Sequence, residues 1–332
     1  MVRKLISSIL AGALVIAGAG CDKTPPSQGD QTAPQPQPSA GWQLWKSPTP
    51  PPPASIWKEF SGEKAFAHVK TLVELGPHPS GSAELQKARD YIIANLKQYG
   101  WEVQQQRFED STPRGRNQFV NLIARFAGDS KPVSASTQTV IVSSHYDTKI
   151  FDTIRFVGAS DGGSSTGALI ELARVLAMDP AMARKIELVF FDGEEAVSQF
   201  SETDGLYGSR YYAKDLRQTG RNTQFKSGVL WDMIGDKDLT ITLSPDSPSE
   251  LAKGILNAAT TLNLRDYFSY FDRNIYDDHV PLIEAGIPTI DLIDFDYIYW
   301  HTADDTLDKL SPQSLQKVGS VTLCYLRKAM FQ

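Results

Sequence analysis

Two cysteines, Cys21 and Cys324, are all that this 332-residue chain contains. A disulfide framework is thereby excluded, and the fold must rest on an apolar core, which a chain of this length is able to bury. Positive charge is also in short supply: 33 Lys and Arg stand against 39 Asp and Glu, for a net charge of −6. No basic block occurs and aromatic residues are not interleaved with lysine or arginine, so nucleic acid is excluded as a partner. No heptad or extended apolar stripe argues for assembly, and a monomer is expected. The apolar run at 5–16 falls short of the roughly 20 predominantly apolar residues of a permanent membrane span. Histidine is scarce too, five in all, which gives weight to where each one falls.

What is present at the N-terminus is an address. Arg3 and Lys4 precede the apolar run, and Ala17-Gly18-Ala19-Gly20 leads into Cys21, the charged, apolar and small-residue order of a secretory signal. Residues 1–21 therefore read as a signal peptide with a lipobox-like cysteine, although Gly18 stands where a leucine is usual; ordinary cleavage is the alternative. An exported, membrane-anchored lipoprotein facing the periplasm or cell exterior is expected, with Cys21 as the lipidated residue. Residues 22–56, rich in Pro, Gln, Ser and Thr and including Pro50-Pro51-Pro52-Pro53, show no apolar period and read as a disordered tether.

Residues 57–332 turn globular and read as one catalytic domain. Apolar strand patterns at 119–126, 139–144, 187–191, 228–231, 239–243 and 288–293 alternate with amphipathic helix patterns at 62–75, 82–99, 166–178, 206–216, 249–263, 279–285 and 312–330. That order predicts an α/β fold with three layers, α/β/α, around a mixed, mainly parallel central sheet with an antiparallel edge from the early strands. Ligands in such sheets bind beyond the carboxyl ends of the strands.

The polar residues collect at those ends. His145 follows one strand, Glu194-Glu195 another and Asp232 a third, while Asp161 lies in a glycine-rich loop and Trp300-His301 comes soon after the last strand. Each has a duller reading, since adjacent glutamates are usually a solvated turn and a lone histidine is usually a satisfied surface or core residue. Taken together they are hard nitrogen and oxygen donors of the kind zinc accepts in catalytic sites. Two acids ending an apolar strand repel one another unless a cation or a retained proton offsets the charge. The loop Asp161-Gly162-Gly163-Ser164-Ser165-Thr166-Gly167 lacks the lysine of a phosphate loop, so that reading fails.

These residues carry a resemblance. His145-Tyr146-Asp147, Gly158-Ala159-Ser160-Asp161, Phe191-Asp192-Gly193-Glu194-Glu195-Ala196, Leu206-Tyr207-Gly208-Ser209-Arg210, Asp232-Met233-Ile234-Gly235, Asp277-Asp278-His279 and Trp300-His301-Thr302 resemble, in order, the zinc aminopeptidase superfamily, and within it the glutaminyl cyclases. The resemblance implies a zinc-aminopeptidase-like fold in which Asp161, Glu195 and His301 hold one zinc and Glu194 carries the proton. It implies that Asp232 and Asp277 form a carboxylate network with Glu194, with Asp278 the alternative to Asp277. His145 and Asp278 are the further candidates for a second metal or for support around the first. Phe200, Trp300 and Asp291 are implied in the substrate pocket. Animal cyclases have tryptophan where Phe200 stands, histidine where Asp291 stands, and a disulfide that this chain cannot form, so substrate preference is more open than reaction class.

The function so implied is that of a glutaminyl-peptide cyclotransferase, an acyltransferase that converts the N-terminal glutamine of peptides or proteins to pyroglutamate and releases ammonia. The alternative is a two-zinc aminopeptidase, with two ions per chain instead of one. An inactive peptide-binding lipoprotein is a third reading. Trp300 before His301, the Asp277-Asp278-His279 order and the loop at 197–204 fit the cyclase pattern better.

Overall fold

In the computed structural model of the protein, residues 52–127 and 139–331 are described; the signal peptide, Cys21 and nearly all of the tether lie outside them. The packed body already includes Ile56, one residue before the boundary expected from composition. This side chain is fully buried and opens a short 3-10 turn, Ile56–Glu59.

The elements run α1 (Gly62–Glu74), α2 (Ala83–Gln98), β1 (Trp101–Thr112), β2 (Gly115–Phe126), β3 (Val140–His145), α3 (Gly163–Leu176), the single turn α4 (Pro180–Ala183), β4 (Ile186–Phe191), α5 (Tyr207–Thr219), β5 (Ser227–Asp232), β6 (Ile241–Leu243), α6 (Ser249–Thr261), β7 (Phe268–Tyr270), α7 (His279–Glu284), β8 (Thr289–Ile293) and α8 (Pro312–Phe331). Local chemistry sets several of their ends. Ser61 and Ser82 cap α1 and α2 by accepting from Lys64 N at 3.3 Å and Leu85 N at 3.0 Å, which satisfies amides that a helix start leaves unpaired.

The strands form one eight-stranded sheet in the order β1-β2-β4-β3-β5-β8-β6-β7. Its centre, β4-β3-β5-β8, is parallel, whereas β1, β2 and β4 pair antiparallel and β6 is antiparallel to β8. Side chains alternate between the faces as the pleat demands. Val140, Val142, Ile186, Leu188 and Phe190 enter the core shared with α1, α2, α3, α6 and α8, while Ile141, Val189 and Phe191 face α5 and α7. The result is a three-layer α/β/α fold with a mixed sheet.

Two strands and one short helix were not foreseen. β1 reads Trp-Glu-Val-Gln-Gln-Gln-Arg-Phe, mostly polar, and is held by register with β2 from Trp101↔Phe126 to Thr112↔Gly115. β7 is three residues long, and α4 is one turn started by Pro180; neither length supports a period.

Candidate metal and catalytic site

The four central parallel strands all end at one edge of the sheet. His145 is the last residue of β3 and Asp232 the last of β5, Glu194 and Glu195 follow β4, and His301 lies in the turns after β8. Asp161 comes from the loop before α3, where Gly162 at φ 76° allows close packing. A Cβ at Gly162 would stand 2.8 Å from the His145 ring and 3.0 Å from the Asp147 carbonyl oxygen. Two residues lining the cleft, Met233 and His301, hold positive φ angles of 42° and 55°, backbone strain of the sort that surrounding structure must enforce.

The donors converge. His301 Nε2 lies 3.3 Å from Asp161 Oδ2 and 3.2 Å from Glu195 Oε1. His145 Nε2 lies 3.2 Å from Asp161 Oδ1 and 3.3 Å from Asp232 Oδ1. Asp161 thus stands between two groups, Asp161–Glu195–His301 and His145–Asp161–Asp232, and in each group one ligand atom per residue falls within 4.8 Å of the others. One imidazole N–H cannot serve two carboxylates well, and buried Asp161 Oδ2 has no hydrogen bond. An imidazole and two carboxylates around that atom fit a zinc-class cation.

Electrostatics agree with a place built for positive charge. Burial alone would lower the His301 pKa, but Asp161 and Glu195 raise it to about 9. Burial likewise opposes the charged ring of His145, yet Asp232, Asp147 and Asp161 hold its pKa well above 6.5. Asp161 runs the other way: burial would raise its pKa, and the two histidines hold it below the usual carboxylate range.

Several positioning residues went unassigned in the sequence. Asp147 accepts from Glu194 N at 3.2 Å and Glu195 N at 3.4 Å and stands 3.6 Å from His145 Nδ1. Asp305 accepts from Ser160 N at 2.8 Å, Asp161 N at 3.2 Å and the Tyr297 hydroxyl at 2.7 Å. Lys149 donates to Glu195 Oε2 at 3.3 Å and to the Ala196 carbonyl at 3.2 Å, leaving Glu195 Oε1 toward His301. Asp147 sits inside a quoted motif, and that adjacency was the available signal; Asp305 carried none.

A cleft of about 460 Å³ opens over this floor, lined by Glu194, Asp277, Phe200, Trp300 and His301 among others. The Trp300 ring stacks on His301 at 4.2 Å between centroids, and Phe200 meets Tyr276 edge-on at 6.0 Å. Loss of hydration, with Glu195, Asp277 and Asp278 nearby, pushes the Glu194 carboxyl well above its usual range. Burial, Asp232 and Asp278 do the same to Asp277.

One expectation needs correction. Asp291 does not line the cleft: it is fully buried inside β8, and strand alternation turns it away from Ile290 and Leu292, toward the α7 layer. Asp278, also fully buried, lies behind Asp277 where the chain turns into α7; it belongs to neither ligand group, and its charge acts on Glu194 and Asp277 from behind the cleft. Cys324 is buried and unpaired.

A family model described as Peptidase family M28 matches residues 121–326. The chain is 28% identical over 308 residues to a glutaminyl-peptide cyclotransferase of Dictyostelium discoideum, covering 80% of this chain and 85% of the relative. Among solved structures it is similar to a glutaminyl cyclase from an Acidobacteriales bacterium, with 35% identity, a TM-score of 0.74, and 85% of this chain and 98% of the other covered. It is also similar to a Zn-dependent exopeptidase from Parabacteroides distasonis, with 26% identity, a TM-score of 0.72, and 82% and 99% covered.

Proposed function

The chain belongs to peptidase family M28, and from that premise we propose that it is a zinc-dependent glutaminyl-peptide cyclotransferase acting on peptides or proteins that begin with glutamine. The observation that carries this reading is the make-up of the cleft. Trp300, directly before His301, and the loop at 197–204 that carries Phe200 fit the cyclase pattern better than the aminopeptidase pattern, and Phe200 and Trp300 both wall the space that holds Glu194. The likeness to a bacterial glutaminyl cyclase over 98% of that chain supports it.

In this reaction the α-amine of the substrate attacks its own side-chain amide carbon, a ring C–N bond forms, the bond to the amide nitrogen breaks, and ammonia leaves. Zinc, held by Asp161, Glu195 and His301, would supply Lewis-acid polarisation of the side-chain amide oxygen. Glu194 takes the proton released by the attacking amine and returns it to the departing nitrogen, a task suited to a carboxyl with a raised pKa. Asp232 and Asp277 line the cleft beside it, and the charge of Asp277 helps to raise its pKa. Trp300 and Phe200 fold the glutamine side chain back toward its own amine, converting ring closure into a matter of geometry. Because the nucleophile comes with the substrate, no water need be activated.

The amine must be neutral to attack. With a free α-amino pKa of about 7.7–8.0, turnover rises from mildly acid to mildly alkaline pH, and a profile peaking near about pH 5 contradicts the mechanism. The direct assay gives the purified protein a peptide beginning with glutamine and follows its mass: loss of ammonia from an intact chain supports cyclisation. Release of free glutamine supports the second reading, a two-zinc aminopeptidase, which the His145–Asp161–Asp232 group favours. A chain that binds the peptide without turnover, unchanged by Glu194→Gln, would be a receptor instead.

The address at 1–21 supports export, with Cys21 as a lipid anchor and the protein acting as a monomer. Among the described residues no helix is long and apolar enough to cross a membrane. Cys21→Ser therefore shifts the protein from the membrane to the soluble fraction, and unchanged fractionation would count against anchoring.

A further inference from the structure

Glu187 and Asp291 are carboxylates buried inside strands of the same sheet, on the face toward α5 and α7, and they are treated differently. Glu187 is fully answered: Arg125 Nε lies 2.5 Å and Arg221 Nη2 2.8 Å from its Oε2, and the Tyr212 hydroxyl donates to Oε1. Asp291 is just as buried, at 0% exposure, yet neither of its oxygens has a hydrogen-bond partner. Facing it are two more incomplete groups, His279 Nδ1 and Asp277 Oδ2, each also without a partner. His279 and Asp277 are both 4% exposed. Leaving that many buried polar atoms unpaired is costly, and a group bound among them would offset that cost.

The spacing fits ligands of one ion: His279 Nδ1 and Asp291 Oδ2 are 3.7 Å apart, and one ligand atom from each of Asp277, His279 and Asp291 falls within 4.8 Å of the others. Zinc-class ions bind imidazole nitrogen and carboxylate oxygen at about 2.0–2.2 Å, which sets neighbouring ligand atoms more than 3 Å apart. The other oxygen of Asp277 accepts from Asp278 N at 2.5 Å, a contact that aims Oδ2 at the group.

We propose that Asp277, His279 and Asp291 form a divalent-cation site of zinc-class chemistry, distinct from the two groups that share Asp161. The ion is structural. It ties the start of α7 to the middle of β8 and fixes Asp277 where it borders the cleft.

The test is a metal count on the full chain, read without substrate and so independent of whether the enzyme is a cyclase. Protein stripped by chelator is dialysed against excess Zn²⁺, and bound metal is measured by mass spectrometry. Wild type is expected to hold one ion more than His279→Ala and one more than Asp291→Asn, while His145→Ala retains that ion. A count in either of the first two variants equal to wild type overturns the site. If both variants fail to fold by circular dichroism, Co²⁺ is titrated into Asp161→Asn, which lacks the ligand common to the other groups. A visible absorption band saturating at one ion per chain is expected, and absence of a saturable band overturns the proposal.

Discussion

Glu194 and Glu195 are neighbours with opposite duties, and the difference comes from what each side chain faces. Glu195 is tied between Lys149 and His301, whereas Glu194 looks into the cleft with its pKa pushed up by lost hydration and by Glu195, Asp277 and Asp278. Glu194→Gln should therefore lower kcat by about 10²- to 10⁴-fold, the range for loss of a general acid–base, with metal content unchanged; a variant that also loses its metal would place Glu194 among the ligands. His301 makes a second prediction. In the metal-free chain its pKa of about 9 means that the ring holds a proton below that pH, and metal must displace it. Apparent Zn²⁺ affinity, read by competition with a chelator of known proton affinity, should rise by up to about tenfold per pH unit and level off above about pH 9; a flat profile refutes it. The same raised pKa stabilises the metal-free fold most below 6.5, and that contribution fades as pH climbs toward about 9. These residues were legible in the sequence because acids and histidines at strand ends stand out against apolar runs. Asp305 was not, since a carboxylate that accepts from backbone N–H groups leaves no period or spacing behind, and Asp147 was signalled only by its place two residues after His145.

At the scale of elements, the connection from Glu195 to α5 shows how a loop can be made rigid by one residue. The buried Asp204 carboxylate accepts from Val197 N at 2.8 Å, Ser198 N at 2.9 Å and Gln199 N at 3.0 Å, and from the Tyr207 hydroxyl at 2.9 Å. That arrangement presents Phe200 at the cleft mouth. Asp204→Ala should cost about 3 kcal/mol in denaturant unfolding, in keeping with several charge-assisted hydrogen bonds lost and their donors left unpaired. It should raise KM for a glutamine peptide more than it lowers kcat, because the wall moves and Glu194 does not. The strand patterns that could be read were those buried on both faces. β1 could not, since its packing changes face along its length, Trp101 reaching α3 and Phe108 stacking on Tyr211 of α5, and its long register with β2 is a tertiary fact. The start of α3 at Gly163 lay three residues ahead of expectation, because the turn at Gly162 depends on a positive φ that composition does not disclose.

For the molecule as a whole, order along the chain was enough to predict layers and to place the site at one edge of the sheet, since parallel strands joined by helices all end on the same side. It was not enough to orient Asp291, whose fate follows from which way a strand faces its neighbours. Metal and fold should be coupled at this scale. An ion that binds only the native state adds about 2.7 kcal/mol when present at 100 times its Kd, so chelation should lower Tm and added Zn²⁺ should restore it; a Tm indifferent to chelator would show that no such ion is bound. Asp161, Glu195 and His301 come from separate connections, and the last of them follows the final strand. On the proposed route of export, the chain would thread its translocon before that sheet closes and would leave the cell interior with these three ligands still apart. Its metal would then be drawn from the surroundings in which it finishes folding, and scarcity there would yield a well-folded but idle population.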